Sequence, residues 1–340
     1  MIDLRSDTVT RPTPEMMRAM TQAQVGDDVM ADDPTVQRLQ QELAARGGFE
    51  AGLFFPSGTQ SNLAGLMAHC QRGDEYIVGQ RAHTYKYEGG GAAVLGSIQP
   101  QPIEHASDGS LPLEKIEAAI KPIDFHFARS RLLALENTFQ GMVIGSGYIE
   151  RAAELVRRHG MAVHLDGARV FNACVASNQE LATVCAPFDS VSVCFSKGLG
   201  APVGSVLLGT RELISQAIRW RKVLGGGMRQ SGFLAAACLH AMAHHVERLA
   251  DDHRRAEKLA AGLRDIDSLN VVYQATNMVF VDIPPEHAEP LTQHLNAMGI
   301  AMRAVYGGTT RLVTHLDIDD AAIVKVIAGA KAYFASSSRK

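Results

Sequence analysis

Lys197 stands in Val193-Cys194-Phe195-Ser196-Lys197-Gly198-Leu199-Gly200, an apolar stretch that ends in Ser-Lys with glycine directly behind it. A second apolar stretch, Met161 to Leu165, ends in Asp166-Gly167-Ala168-Arg169. Ligands of open α/β sheets sit beyond the carboxyl ends of strands. An amine and a carboxylate would thus enter one crevice from two strand ends. The amine can form an imine with an aldehyde, and the carboxylate can hold a protonated ring nitrogen. Pyridoxal phosphate requires both. Taken singly, a Ser-Lys-Gly or an Asp-Gly turn is more often a solvated surface feature, so the pairing carries the argument.

Further residues fit the same crevice. Ser57-Gly58-Thr59-Gln60-Ser61-Asn62 lies between a short apolar strand and a helix. A helix N-terminus offers unpaired N–H groups and a positive dipole end, and glycine lets an anion approach closely. The turn suits a cofactor phosphate, although the same residues would serve as an ordinary helix cap. His83 heads His83-Thr84-Tyr85-Lys86-Tyr87-Glu88 before three glycines, where an aromatic ring could stack on a pyridine. His126, in Phe125-His126-Phe127, is a second candidate imidazole. Arg311, in a strand late in the chain, could hold a carboxylate through its two-pronged guanidinium. His240 and His244 have helical i, i+4 spacing suited to zinc. No third ligand accompanies them, so no metal site is expected. Gly198-x-Gly200 and Gly225–Gly227 lack the full dinucleotide-binding fingerprint.

The elements that must position these residues alternate. Short apolar runs at Leu53–Phe55, Tyr76–Val78, Leu132–Leu135, Met161–Leu165, Val191–Phe195 and Val203–Leu208 read as buried strands. Helical spacing separates several of them, at about 34–46, from Gly58 to about Cys70, and at about Glu150–His159. That alternation predicts an α/β fold with a mostly parallel sheet covered on both faces. Near residue 245 the texture changes: Val246, Leu249, Ala256, Ala260 and Leu263 stripe an otherwise charged helix. Strands at Met278–Ile283 and Arg311–His315, with helices near 287–298 and 319–334, predict a compact α+β unit. The division expected is residues 1–243, an N-terminal arm and large domain, against 244–340, a small C-terminal domain. No repeat or low-complexity segment occurs.

Bulk properties agree with a globular enzyme. The 340 residues are 46% hydrophobic and 20% charged, which is ample for two cores. A net charge of -3 gives no electrostatic reason to bind nucleic acid or an anionic membrane. The five cysteines are odd in number and scattered through apolar runs, as reduced thiols would be. No stretch is long and apolar enough to span a bilayer, and Met1-Ile2-Asp3-Leu4-Arg5-Ser6 lacks the apolar core of a signal peptide. A cytoplasmic protein is expected.

Taken together, Arg5-Ser6-Asp7-Thr8-Val9-Thr10, Val25-Gly26-Asp27-Asp28, the Ser57–Asn62 turn, His164-Leu165-Asp166-Gly167-Ala168-Arg169, Ser196-Lys197-Gly198-Leu199-Gly200 and Gly225-Gly226-Gly227-Met228-Arg229-Gln230 resemble L-threonine aldolase, most of all the bacterial low-specificity kind. The resemblance runs from Ile2 to about Asp317. It implies a fold-type-I pyridoxal-phosphate enzyme that cleaves L-threonine and L-allo-threonine to glycine and acetaldehyde. It also implies a homotetramer, a dimer of dimers with active sites at subunit interfaces.

The resemblance implies roles as well. Lys197 would carry the cofactor as an imine, Asp166 would pair with its ring nitrogen, and His83 would stack over the ring. Ser57, Gly58, Thr59 and Ser196 would hold its phosphate. Arg169, beside the cofactor, would join Ser6 and Arg311 in binding the substrate carboxylate, with Tyr87 near the substrate. Lys222 and Arg229 would reach a neighbouring subunit's cofactor. His83 and His126 are both candidates for the base that takes the β-hydroxyl proton. The chain departs from the family pattern at Met30 and Phe139, where relatives often have tyrosine and histidine, and at Tyr87, which is phenylalanine in some.

Overall fold

A computed structural model describes residues 1–303 and 308–337. Its large sheet has seven strands: β2 (Ala51–Phe55), β3 (Asp74–Gly79), β4 (Gln99–Ile103), β5 (Arg129–Glu136), β6 (Ala162–Gly167), β7 (Ser190–Cys194) and β8 (Ser205–Gly209), with β1 (Ile2–Asp3) lying elsewhere. The order is β2-β8-β7-β6-β5-β3-β4, and only β8 runs antiparallel to its neighbours. Helices cover a parallel sheet on both faces, so its central strands are buried along their whole length rather than on one face only. Every residue of β3, β7 and β8 is buried accordingly. All parallel strands deliver their carboxyl ends to one edge, where the crevice of an open α/β sheet forms.

The strands read from the sequence recur with ends shifted by at most three residues. Four strands were not expected. β4 carries Pro100 and Pro102, which cannot donate ladder hydrogen bonds, and it survives because it lies at the sheet edge with only β3 beside it. A smaller antiparallel sheet holds β9 (Asn270–Ala275), β10 (Met278–Asp282) and β12 (Thr309–Val313), with β10 central. β9 escaped the sequence reading because its apolar residues are interrupted and only partly buried.

β1 corrects the expected division of the chain. It pairs in parallel with β11 (Ile300–Ala301), and Leu4 is wholly buried among Leu259, Ile300, Leu312 and Ile323. The first residues therefore belong to the core of the C-terminal unit. The following segment then crosses to the large sheet. The helix Gly232–His244 packs with the large sheet's core, and Leu249–Arg264 packs mostly with the small unit.

Candidate active site

Asp166 is the fifth residue of β6, and Lys197 lies three residues beyond the end of neighbouring β7. Both thus stand at the carboxyl edge. The Lys197 backbone is pinned from two sides: its carbonyl accepts from Gly200 N at 2.8 Å and Thr10 Oγ1 at 3.0 Å. Gly200 closes that turn at a left-handed φ of 78°, and a side chain there would also press Leu316. The Lys197 ammonium lies 3.3 Å from Cys194 Sγ. Burial works hardest against its charge, but the Cys194 sulfur and the Asp166 and Asp7 carboxylates together outweigh it and raise the amine's pKa.

Asp166 is 3% exposed. Its Oδ1 accepts from Ala168 N at 3.1 Å, whereas Oδ2 is buried and meets no hydrogen-bonding partner among the described residues. A buried carboxylate oxygen left unmatched costs on the order of 1–3 kcal/mol or more, so such a group usually awaits a ligand. His83 comes to the same place from the turn after β3, with one atom each from His83, Glu88 and Asp166 lying within 4.8 Å of one another. His83 Nδ1 is 2.8 Å from Glu88 Oε1, and its backbone N–H donates to Glu136 Oε2 at 3.0 Å. The Glu88 hydrogen bond raises the His83 pKa. Burial, reinforced by the Asp166 charge, pushes Glu136 up.

An anion cradle lies beside Lys197. Ser57 caps the helix Gly58–His69, its Oγ accepting from Gln60 N at 3.2 Å. A methyl group on Gly58 would rest 3.5 Å from Ser205 Oγ and 3.9 Å from Cys194 Sγ, filling the space above them. Ser205 Oγ is itself buried without a hydrogen-bonding partner among the described residues. Ser196 Oγ lies 3.3 Å from Cys194 Sγ, and Thr59 is exposed on the first helical turn. An amine, an unmatched carboxylate oxygen and a glycine-floored helix start with an unmatched hydroxyl fit the aldehyde, ring nitrogen and phosphate of pyridoxal phosphate.

In front of Lys197 opens a cavity of about 440 Å³ between the large sheet and the small unit. Of the expected residues, Ser6, His83, Tyr87, Arg169, Lys197 and Arg311 line it. Arg5, Arg81 and Arg303 line it too, giving an anion-seeking mouth that no local motif announced. Arg311 enters from β12, and burial together with the Arg169 charge lowers its pKa.

Arg169 departs from the expected role. Its Nε and Nη2 grip Asp7 at 2.8 and 2.6 Å, so its two-pronged face is already engaged. Asp7 is wholly buried and also accepts from Asn277 Nδ2 at 3.2 Å, which ties the N-terminal arm to both units. Burial favours the neutral acid, but the Arg169 charge and hydrogen bonds prevail and hold the Asp7 carboxyl far below the usual range.

Three expected residues are not brought to the cavity within this chain. His126 sits on an exposed turn, 67% exposed at the side chain, with Nδ1 2.6 Å from Asp124 Oδ1. The turn protrudes because Pro122 to Phe127 lie in the connection before β5, away from the carboxyl edge. Lys222 is exposed near the end of the helix Arg211–Val223, and Arg229 pairs with Asp27 at 3.0 Å on the surface. Conversely, Asp7, Glu88, Glu136, Cys194 and Ser205 escaped notice. Their neighbours in sequence carry the motifs, but each finds its partner only across the fold.

The sheet order, the lysine and aspartate on adjacent strand ends and the anion cradle define the fold-type-I class of pyridoxal-phosphate enzymes. The beta-eliminating lyase family model matches residues 3–285. The chain is 52% identical to the low specificity L-threonine aldolase of Escherichia coli K12, over 98% of this chain and 100% of that protein. It is 43% identical to an Arabidopsis thaliana protein named probable low-specificity L-threonine aldolase 2, over 96% and 95% of the two chains. Among solved structures, Leishmania major threonine aldolase superposes with a TM-score of 0.83 at 21% identity, covering 98% and 100%. Sphingomonas wittichii serine palmitoyltransferase gives 0.77 at 18%, covering 99% and 88%, which speaks to the fold. The chain belongs to the beta-eliminating lyase family and, within it, to the low-specificity L-threonine aldolases.

Proposed function

We propose that this chain cleaves L-threonine and L-allo-threonine to glycine and acetaldehyde by a retro-aldol reaction dependent on pyridoxal phosphate. The observation that carries the reading is the unmatched Asp166 Oδ2 standing beside the Lys197 strand end in one crevice. Bound pyridoxal phosphate supplies an electron sink for the pair released when the Cα–Cβ bond breaks.

The chain's own groups do the rest. Lys197 Nζ would hold the cofactor covalently through its aldehyde. Asp166 Oδ2 keeps the proton on the ring nitrogen, since an adjacent carboxylate favours the charged form. The Gly58 helix start, Ser57, Thr59, Ser196 and Ser205 hold the phosphate.

Arg311 and Ser6 hold the substrate carboxylate at the mouth of the cavity, with the remaining Arg169 donors and Arg303 beside them. Clamping that group turns the Cα–Cβ bond to the angle at which it breaks, positioning of a kind worth several kcal/mol. His83 accepts the β-hydroxyl proton, because it alone of the two candidate imidazoles lines the cavity. Positioned proton transfer of this kind contributes about 10²–10⁴-fold.

Assembly belongs to the same reading. Lys222 and Arg229 lie outside their own chain's cavity and flank exposed Val29, Met30 and Val223. A homotetramer whose interfaces cover that patch gives both cations a neighbouring cofactor to meet. No described helix is long and apolar enough to cross a membrane, and all five cysteines are free and buried, which supports a cytoplasmic enzyme.

The test is product analysis with L-threonine and L-allo-threonine. Acetaldehyde and glycine in equal amounts are expected. A 2-oxo acid with ammonia, or with an aminated acceptor, would replace the reading by elimination or transamination.

A further inference from the structure

The hydrogen bonds that leave His83 continue beyond the active site. Glu88 Oε1 lies 2.8 Å from His83 Nδ1 and accepts from Asn62 Nδ2 at 3.0 Å. Asn62 Oδ1 is 3.2 Å from His164 Nε2, and His164 Nδ1 is 2.7 Å from Ser190 Oγ. Ser190 Oγ in turn lies 2.7 Å from His69 Nε2. Asn62 lies in the second turn of the helix Gly58–His69 and His69 is its last residue, while His164 and Ser190 belong to β6 and β7 beneath it. The chain thus follows the underside of one helix from the carboxyl edge of the sheet to the opposite edge.

Its protons can run in one direction only. A carboxylate accepts, so Asn62 must turn its amide NH₂ toward Glu88 and its carbonyl toward His164. His164 Nε2 must then carry a proton. His164 is wholly buried, which pushes its pKa down to about 3, so it is neutral and Nδ1 is bare. Ser190 therefore donates to His164 Nδ1 and accepts from His69 Nε2–H. Reversing any member would set two acceptors or two donors face to face in a buried site. Aligned hydrogen bonds polarise one another, and every dipole of this chain points toward Glu88.

We infer that Glu88 is the positioning residue for His83: the chain from His69 through Ser190, His164 and Asn62 keeps its carboxylate an acceptor, which fixes the proton on His83 Nδ1 and leaves Nε2 bare for the substrate. The inference rests on His83 as proton acceptor. The carboxylates acting on His83 are Glu88, Asp166 and Glu136, the cavity it lines also holds the cations Lys197, Arg81 and Arg169, and Glu88 additionally faces Tyr76. None of the three carboxylates can donate to Nδ1 while ionised, and Glu88 is the group in contact with Nδ1, so the tautomer follows from that contact.

Neutron diffraction from crystals of the full-length enzyme with its cofactor tests this at a pD of about 9, where an ordinary imidazole is neutral. Deuterons are expected on His83 Nδ1, His164 Nε2 and His69 Nε2. A deuteron on His83 Nε2 with Nδ1 bare, or on His164 Nδ1 with Nε2 bare, overturns the inference, and this arm needs no variant. In solution, Glu88→Gln should lower kcat for L-threonine at least about tenfold with KM nearly unchanged, and move the acid limb of the kcat profile to lower pH. A folded Glu88→Gln enzyme with the wild-type kcat and pH profile overturns the positioning role. The expected deuteron pattern combined with full activity of His83→Phe would instead remove His83 as proton acceptor while leaving the directed chain intact.

Discussion

Replacing Asp7 by asparagine should loosen the molecule at the point where its arm, large sheet and small unit meet. Asp7 is wholly buried, and the Arg169 guanidinium opposite it is 12% exposed. The carboxylate accepts from Arg169 Nε at 2.8 Å, Arg169 Nη2 at 2.6 Å and Asn277 Nδ2 at 3.2 Å. Asparagine keeps one acceptor oxygen but turns an NH₂ toward a donor and leaves the arginine charge unbalanced. Removing one partner of a buried ion pair costs about 3–5 kcal/mol. At about 2 °C per kcal/mol for a large domain, the apparent Tm should fall by roughly 6–10 °C. Arg169 lines the substrate cavity, so KM for L-threonine should rise in the same variant. Thermal unfolding followed by circular dichroism, with steady-state acetaldehyde release, provides both readings. An Asp7→Asn enzyme with the wild-type Tm and KM would refute the claim that this pair fixes the arm and the cavity wall.

Lys197→Ala should lose the visible absorbance of bound cofactor together with all turnover; a spectrum like the wild type's would exclude Lys197 as the covalent anchor. Asp166→Asn should still take up cofactor yet lose most of kcat, and near-normal turnover would count against the ring-nitrogen pairing. Arg311→Ala should weaken L-threonine binding by roughly 10–100-fold, the value of a charge-assisted pair, and an unchanged KM would take Arg311 out of the site. Half-buried His69 and wholly buried His164 have their pKa values pushed down to about 4 and about 3 by loss of hydration, from an ordinary 6.5. Their neutral forms stabilise the fold above pH 6.5, and that contribution drains away as pH falls from there toward 4. Urea midpoints measured across that window should fall, and a flat profile would contradict the burial of these rings.

The positions of Asp166 and Lys197 were legible in the sequence because each follows a mostly apolar run, as buried strands of a parallel sheet do. A polar residue closing such a run marks the carboxyl edge directly. The Ser57-Gly58 turn was legible for the same reason, as the boundary between a buried strand and a capped helix. β4 was hidden because its prolines mimic a loop, and only its edge position makes them tolerable. Periodicity is local, and it finds whatever local pattern enforces.

Pairing across the chain was decided elsewhere. Nothing near Asp7 shows that its carboxylate will meet Arg169, 162 residues away, and nothing near Asn62 shows that it will join Glu88 to His164. The same holds for β1, which left the large domain to pair with β11, and for His126, whose ring stands on an exposed turn beside Asp124. The amino-acid sequence thus determined which groups stand at the sheet's reactive edge, because that follows from burial along single strands. Only tertiary packing decided which charges neutralise one another and which remain unmatched, because side chains distant in sequence choose partners by desolvation and distance once the layers close.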